Sequence, residues 1–301
     1  MEKLTIVVFC YNHEKYLSRA LDSILSQETS FDFRVIIADD ASTDKSPEII
    51  RKYAELYPQR IVPILRQQNL GSMENFRQTL AGVCSEYVVV NDGDDWFTDN
   101  EKLQRQVEYL ETHAECAMCF HPVRVEHEGF PENETVFPLP SQEEEYDFQH
   151  LLQRNFMQTN SVMYRWAFNE HSLLQYLPSN MLPGDHFLHL LHAERGEIGF
   201  LPETMSSYFR HAGSIWEGDG RTPSWFLRCA EPHINFYQEL EKRYGVDTRI
   251  RRHGMQLHLR LAKQGGVSML YRIYLFILSK LFAGERRRVY KSLYRMSCQM
   301  R

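Results

Sequence analysis

Acidic and polar side chains directly follow three of the first four apolar segments of the sequence. Tyr11-Asn12 follows the first segment, a run from Asp39 to Asp44 the second, and Asp92-Gly93-Asp94-Asp95 the fourth. Two carboxylates separated by one glycine can reach the same hard cation while the backbone turns closely, with phosphate oxygens and water completing the coordination. The spacing therefore predicts a Mg²⁺ or Mn²⁺ site.

The elements that must position these side chains alternate between strands and helices. Short apolar runs predict strands at residues 5–9, 34–38, 61–65 and 87–90, and helical spacing predicts helices at 14–26, 47–57 and 73–83. Ser46-Pro47 is expected to cap the second helix. This alternation predicts an open α/β sheet, in which ligands bind outside the carboxyl ends of the strands. The three polar clusters should meet there.

The second half of the sequence has a different pattern. We expect helices at residues 100–113, 166–176 and 186–193, and strand pieces at 117–122, 135–139, 161–164 and 198–209. The acidic run at 143–145 is expected to be a solvated loop. From residue 223 onward the pattern indicates three or four helices without strands. We therefore expect one domain at 1–220 and a helical extension at 221–301.

Charge is divided unequally along the chain. Residues 251–301 contain 12 Lys and Arg against one acid, Glu285, for a net charge of +11, whereas residues 1–250 carry −17. An acidic body argues against nucleic acid as a partner, whereas a basic tail rich in Leu, Ile, Phe and Tyr suits an anionic membrane surface. A helix that packs on the catalytic domain is the alternative. The apolar run at 269–282 is short for a membrane span and contains Arg272 and Lys280.

Two further features bear on the cellular location. No secretory leader precedes the first strand, so a cytoplasmic catalytic part is expected. The six cysteines are scattered, and Cys116 and Cys119, the one close pair, have no second pair nearby, which favours reduced structural thiols.

Taken together, four motifs resemble the family 2 glycosyltransferases, which have a GT-A fold. Residues 5–8 lead to Tyr11-Asn12, and Asp39-Asp40-Ala41-Ser42-Thr43-Asp44, Asn69-Leu70-Gly71 and Asp92-Gly93-Asp94-Asp95 follow in the family's order over residues 1–110. Gly184-Asp185-His186 and residues 208–216 are similar to acceptor-side segments of bacterial polysaccharide glycosyltransferases. The resemblance implies a Rossmann-like open mixed sheet with helices on both faces, a nucleotide-sugar half at 1–110 and an acceptor half at 111–220.

The resemblance also implies roles for individual residues. Asp185 would be the catalytic base, although the family's common Glu-Asp pair is Gly184-Asp185 here, and a helix cap is the alternative. Tyr11 would stack on the donor base, with a core aromatic as its alternative. Asp94 and His211 would bind the metal. The remaining donor and acceptor contacts would come from Asn12, Asp40 (base edge), Asn69 (loop near the nucleotide), Asp92 (ribose), Arg210 (diphosphate) and Trp216 (a sugar platform).

The implied reaction is an inverting transfer from a nucleoside-diphosphate sugar, with UDP expected, to a hydroxyl of a glycan or lipid-linked glycan in cell-surface polysaccharide synthesis. Mn²⁺ or Mg²⁺ would be the cofactor, and the enzyme would lie peripherally on the cytoplasmic face of the inner membrane. Neither Gly-x-Gly-x-x-Gly nor Gly-Lys-Ser/Thr follows a predicted strand, which argues against a dinucleotide-dependent dehydrogenase and a P-loop kinase. A nucleotidyltransferase or a non-catalytic sugar-nucleotide-binding protein on the same sheet remains the alternative.

Overall fold

The computed structural model describes residues 2–138, 146–168, 172–211, 213, 222–265 and 269–299. The chain divides into two compact units. The first unit comprises Met1–Ser179 and Gly184–His211, and the second comprises Asn180–Pro183 and Ala212–Arg301. Trp216 and the acidic run at 143–145 lie outside the described residues.

The first unit contains two sheets and seven α-helices in its described residues. Its strands are β1 (Glu2–Cys10), β2 (Phe33–Asp39), β3 (Ile61–Leu65), β4 (Ser85–Asp92), β5 (Trp96–Phe97), β6 (Cys116–Phe120), β7 (Val123–His127), β8 (Thr135–Phe137), β9 (Met163–Arg165), β10 (Glu197–Phe200) and β11 (Ser206–Arg210). Its helices are α1 (Leu17–Leu25), α2 (Ser46–Leu56), α3 (Ser72–Ala81), α4 (Lys102–Thr112), α5 (Phe148–Gln153), α6 (Leu173–Tyr176) and α7 (Gly184–Ala193).

The larger sheet has seven strands in the order β10-β6-β9-β4-β1-β2-β3. Strand β1 runs parallel to β2 and β4, and β9 runs antiparallel to both β4 and β6, so the sheet is mixed, as predicted. Cys10 pairs with Asp39 and Phe9 with Asp92, so the carboxyl ends of these three strands meet at one edge. Residues Leu4, Ile6 and Val8 of β1 are fully buried in the core.

The smaller sheet has the order β5-β11-β7-β8. Strand β11 pairs parallel with β7 and antiparallel with β5, which begins one residue after Asp95. This pairing fixes β11, and therefore Arg210 and His211 at its end, beside the loop that follows β4.

The structure corrects three boundaries predicted from sequence. Trp166–Phe168 is not helical, because the Trp166 and Phe168 rings contact His192, and among the described residues of the expected 166–176 helix Leu173–Tyr176 is the helical part. Helix α2 begins at Ser46 rather than after it, and the Asp44 carboxylate accepts a hydrogen bond from the Ser46 N–H. The expected strand at 161–164 is Met163–Arg165.

The second unit is helical throughout its described elements. Its helices are α8 (Pro223–Tyr244), α9 (Arg249–Gln264), α10 (Met269–Leu281) and α11 (Gly284–Gln299), within the predicted number. Thr222 caps α8 by accepting the Trp225 N–H, and Gly245 ends it with a positive φ of 67°. Trp225, Phe226, Met255 and Leu259 are buried in the shared core. No helix in the described part of the chain is long and apolar enough to cross a membrane.

Candidate active site

The loop after β1 is joined to the loop after β2 by side-chain hydrogen bonds. The Asn12 side-chain oxygen accepts the Thr43 N–H at 2.8 Å, and the Ser42 hydroxyl accepts the Asn12 N–H at 2.8 Å. Asn12 and Ala41 both have positive φ values, 59° and 58°, which non-glycine residues rarely adopt and which cluster at functional sites. Tyr11 is 46% exposed, so its alternative interpretation as a core aromatic is wrong. Its ring is free to stack on a ligand.

Asp40 orders the loop that contains Asn69. Its two carboxylate oxygens accept the N–H groups of Leu70 and Gly71 at 2.7 and 2.9 Å, and the Asn69 amide donates to the Asp40 carbonyl at 3.0 Å. Gly71 has a φ of 83°, a conformation that favours glycine. Each Asp40 oxygen has a further lone pair, so a contact with a nucleobase edge remains possible chemically and stays a prediction.

Gly93 is required where the Asp-Gly-Asp segment turns. A Cβ atom at this position would lie 2.9 Å from His13 Nδ1 and 3.2 Å from the Phe9 carbonyl oxygen, and the Gly93 N–H donates to that same carbonyl at 2.8 Å. Any side chain would therefore push Asp92 and Asp94 away from the end of β1. Burial, with the negative charges of Asp94 and Asp185, raises the pKa of Asp92 to about 8.

Asp94 lies between two histidines. Its Oδ2 atom is 2.9 Å from His211 Nε2 and 3.8 Å from His13 Nε2. Burial alone would raise the pKa of Asp94, but the hydrogen bond from His211 and the charges of both histidines outweigh burial and lower it. Burial lowers the pKa of His13, which favours its neutral, metal-binding form.

Asp95 anchors β11 and thereby positions His211. Its carboxylate accepts the Phe209 N–H at 2.9 Å and the Asn160 amide at 3.1 Å, and that amide also donates to the Ser207 carbonyl. Burial, reinforced by the neighbouring Asp94 and Asp92, raises the pKa of Asp95 well above its usual range. Asp95 therefore links the loop after β4 to β11 through hydrogen bonds.

Asp185 lies in the first turn of α7, which begins at Gly184. Its Oδ2 atom accepts a hydrogen bond from the Thr159 hydroxyl at 3.0 Å, and its charge contributes to the raised pKa of Asp92. The structure therefore brings Asp185 to the same site as Asp92 and Asp94. Its place within the helix, rather than before it, disfavours the helix-cap alternative.

The glycine at position 184 has a packing explanation. A Cβ atom there would lie 2.5 Å from the Met73 sulfur, so any larger residue at position 184 would force the Met73 side chain to move. Glycine therefore lets Met73 pack against the start of α7, next to Asp185.

Arg210 ends β11 beside the site. Its guanidinium carbon lies 5.8 Å from the centre of the Tyr208 ring, and its buried Nε atom has no hydrogen-bond partner among the described residues. An unpartnered, buried guanidinium N–H suits an anionic ligand. The diphosphate role predicted for Arg210 stays a prediction.

Thr159, Asn160 and His13 were not identified from the sequence. Thr159 and Asn160 belong to the polar run 158–161 between apolar residues, which was the available signal. His13 directly follows Asn12, and its position next to a predicted site residue was the signal that could have identified it. The three histidines of α7 are buried, and His189 contacts the Tyr164 hydroxyl at 2.7 Å, so they pack in the interior of the first unit.

The described residues contain no group of three or more His, Cys, Asp or Glu side chains arranged to hold a metal ion. A cation bound by Asp94 and His211 would therefore need ligand atoms from another molecule. A donor with phosphate oxygens supplies such atoms.

An open mixed sheet with acidic residues at its carboxyl edge and an aspartate in the first turn of α7 is the arrangement of a GT-A type fold. The sequence model of the family described as "Glycosyl transferase family 2" matches residues 5–172, more than half of the chain. The chain belongs to this glycosyltransferase family.

The chain is also similar to individual proteins and solved structures. A protein of Mycobacterium tuberculosis (strain H37Rv), named only as uncharacterized, is 48% identical over 214 residues, which are 71% of this chain and 60% of that protein. The chain thus matches about three-fifths of the length of this curated relative. Two solved structures share the fold. S. aureus TarS 1-349 in complex with UDP-GlcNAc is 16% identical, with TM-score 0.57 over 99% of this chain and 89% of that one.

The second structure is the mannosyltransferase PcManGT from Pyrobaculum calidifontis in complex with GDP-Man and Mn2+. It is 15% identical, with TM-score 0.57 over 99% of this chain and 86% of that one. At these identities the two structures support the GT-A fold alone.

Proposed function

We propose that this glycosyltransferase inverts the anomeric carbon as it moves a sugar from a UDP-sugar to a hydroxyl of a glycan or lipid-linked glycan in cell-surface polysaccharide synthesis. The observation that carries the proposal is the grouping of Asp92, Asp94 and Asp185. A carboxylate from the facing helix meets the two strand-end acids at one site.

The donor is assigned to the strand-end side. The exposed Tyr11 ring stacks on the base, while Asp40 and the Asn69 loop that it orders lie at the base edge. Asn12 holds the two loops together, and Asp92 accepts from the ribose hydroxyls. The base carrier is proposed as UDP because neighbours of the same fold were solved with UDP-GlcNAc and, in one case, GDP-Man.

The metal is assigned to Asp94 and His211, and their chemistry fits a divalent cation. One carboxylate oxygen and one imidazole nitrogen lie 2.9 Å apart, and a mixed oxygen and nitrogen set suits Mn²⁺ better than Mg²⁺, which prefers oxygen alone. When bound, the cation would stabilise the negative charge that develops on the leaving diphosphate. Arg210 supports the same charge from the end of β11.

Asp185 is assigned as the general base. The acceptor hydroxyl oxygen forms a bond to the anomeric carbon from one face, the bond to the diphosphate breaks on the other, and the diphosphate leaves with the electron pair. The hydroxyl proton passes to the Asp185 carboxylate, which acts as the general base. Thr159 holds one Asp185 oxygen, which orients the other toward the acceptor.

The organisation of the chain follows from these assignments. Residues 1–110 form the donor half and 111–220 the acceptor half of a catalytic domain, to which Trp216 contributes a sugar platform. Residues 221–301 form a basic helical extension that brings the enzyme to the anionic cytoplasmic face of the inner membrane.

A donor-hydrolysis screen with UDP-, GDP- and dTDP-sugars, in Mn²⁺ and in EDTA, tests the function. We expect turnover of one UDP-sugar that chelation removes. Release of pyrophosphate from a sugar phosphate and nucleoside triphosphate would instead identify a nucleotidyltransferase. Tight donor binding without hydrolysis or transfer to any glycan acceptor would identify a binding protein.

A further inference from the structure

Helix α10 exposes the apolar side of its surface. Leu275 and Ser279 are buried against the rest of the unit. At about 100° per residue, the exposed apolar side chains of the opposite side fall within one arc of about 160°, which also contains the exposed Lys280. The large apolar side chains on that arc are 43–71% exposed, and they are Ile273, Tyr274, Phe276, Ile277 and Leu281.

Helix α9 of the same unit shows the ordinary arrangement. Met255, Leu259 and Ala262 are buried, while Arg260 and Lys263 are exposed. A helix surrounded by water turns its polar side outward, as α9 does. Scattered surface apolar residues are common, but five on one face of a single helix indicate an interaction surface. Helix α10 therefore requires a partner that can accept apolar side chains.

Helix α11 carries a row of cations. Arg287, Arg288, Lys291 and Arg295 are all exposed and fall within an arc of about 100° on the helix surface. The one acid between residues 251 and 301, Glu285, forms an ion pair with Arg251 at 2.8 Å. No other acid in this stretch of sequence can neutralise the row.

The cationic row borders the apolar face. The Phe276 ring on α10 packs against the Tyr294 ring on α11, with 5.2 Å between ring centres. Lys291 and Arg295 flank Tyr294 on its own helix, and the Lys280 ammonium lies 5.5 Å from the Phe276 ring centre. A single partner that lies across the Phe276–Tyr294 contact would meet apolar and cationic groups together.

We propose that α10 and α11 form a lipid-binding surface for anionic phospholipids. The exposed side of α10 enters the boundary between headgroups and acyl chains, and the α11 cations contact phosphate groups. Thirteen residues span about 20 Å as a helix, so α10 lies along the bilayer rather than crossing it. A second copy fits less well, because a symmetric pairing would bring two cationic rows together. This inference deepens the membrane location proposed above and is independent of the transfer chemistry.

Flotation of the full chain with vesicles tests the surface. We expect co-flotation with phosphatidylglycerol vesicles at low salt, weaker binding at high salt and little binding to phosphatidylcholine. Ile277→Glu should lower the vesicle-bound to free ratio at least ~10-fold, because a charge replaces an inserted apolar group. The pair Arg287→Glu and Lys291→Glu should lower it ~25-fold or more, since each cation strengthens binding roughly fivefold, and should weaken the salt dependence, to which Arg288 and Arg295 still contribute.

Matched controls lie on α2 of the first unit. Leu56 is 61% exposed, and Arg51 and Lys52 are exposed. Leu56→Glu, and Arg51→Glu with Lys52→Glu, repeat the same chemical changes there and should leave flotation unchanged. All variants alter exposed side chains, so unchanged melting temperatures are expected.

Three results would overturn the proposal. One is the absence of flotation with phosphatidylglycerol at low salt, and another is equal flotation of Ile277→Glu and Leu56→Glu. The third is a dimer in sedimentation that Ile277→Glu dissociates, which would make this face a contact between copies. Donor hydrolysis without vesicles separates the two proposals: activity without flotation contradicts only the lipid surface, and flotation without activity contradicts only the transferase.

Discussion

Two groups of ionisable side chains lie in the first unit, one partly buried and one fully buried, and they differ in the charged partners that oppose the effect of burial. The strand-end site comprises Asp92, Asp94, Asp185, His13 and His211. There, contacts with His211 and His13 lower the pKa of Asp94 although burial alone would raise it. Asp94 therefore keeps its negative charge, because His211 and His13 face its carboxylate.

The second group, the interior cluster, comprises Lys102, His121, His189 and His192, all fully buried. Burial lowers the pKa of Lys102 to about 7 and that of His192 to about 3, and it lowers those of His121 and His189 well below the usual range. Burial favours the neutral forms of these groups, because no opposite charge beside them outweighs the loss of water. Burial alone therefore does not identify a functional side chain. We expect substitutions in the strand-end site to lower turnover and substitutions in the interior cluster to change stability.

The largest effect is expected for Asp185→Asn in the strand-end site. Asparagine keeps the shape and the contact with Thr159 but cannot accept the acceptor proton, so transfer should fall ~10²–10⁴-fold. UDP binding should stay near wild type, because Asp185 is assigned to the acceptor side. A transfer assay beside calorimetric UDP binding measures both quantities.

Asp32→Asn, at an exposed position before β2, is the matched control and should be neutral. Full turnover by Asp185→Asn would eliminate the base, and loss of both binding and turnover would move Asp185 to the donor side.

The second largest effect is expected for Asp94→Ala, which removes the carboxylate assigned to the metal. Asp94→Ala should abolish Mn²⁺-stimulated turnover and the rise in melting temperature that Mn²⁺ with UDP produces, since His211 alone is too weak a site. Asp32→Ala should retain both responses. A full Mn²⁺ response in Asp94→Ala would contradict the metal assignment.

The sequence predicted the sheet edge well because strand-end residues are local signals. Tyr11, Asp40 and Asp94 each follow a short apolar run, and parallel strands place such residues together. Thr159 could not be identified this way, because its contact with Asp185 joins residues 26 positions apart through the packing of α7.

Other failures have the same origin in tertiary contacts. The periodicity around Trp166 predicted a helix, but the Trp166 and Phe168 rings contact His192 instead. The exposure of α10 was equally hidden, because a sequence shows an apolar face without showing which side is covered. The periodicity of a sequence shows that a helix has an apolar face, but the packing of the fold decides whether that face is buried or exposed.

A smaller effect is expected at Thr159, which touches the site only through Asp185. Thr159→Val preserves shape and removes the hydroxyl, and hydrogen bonds to charged groups contribute ~1.5–3 kcal/mol, so kcat should fall ~10- to ~150-fold. KM for the donor should not change, and Thr159→Ser should restore kcat. A purely structural role would instead lower the melting temperature of Thr159→Val with kcat unchanged.

The smallest effect on turnover is expected in the interior cluster, for Lys102→Met. The Lys102 ammonium contacts the Gln106 side-chain oxygen at 2.7 Å and lies 4.2 Å from the centre of the Phe97 ring, with no exposed surface. Its pKa is about 7 in the folded chain against an ordinary value of 10.5. Between these values the unfolded chain holds a proton that the folded chain has released, so rising pH stabilises the fold.

Methionine fills a similar volume and has no proton to lose. The free energy of unfolding of wild type relative to Lys102→Met should therefore rise with pH by up to about 1.4 kcal/mol per unit between pH ~7 and ~10, with the variant the more stable near pH 7. Urea unfolding at several pH values measures this difference, and Lys52→Met on the exposed side of α2 should give a difference independent of pH. Turnover by Lys102→Met should match wild type. A pH-independent difference would contradict the lowered pKa of Lys102. A loss of turnover as large as that of Asp185→Asn would mean that the interior cluster contributes to the reaction and not to stability alone.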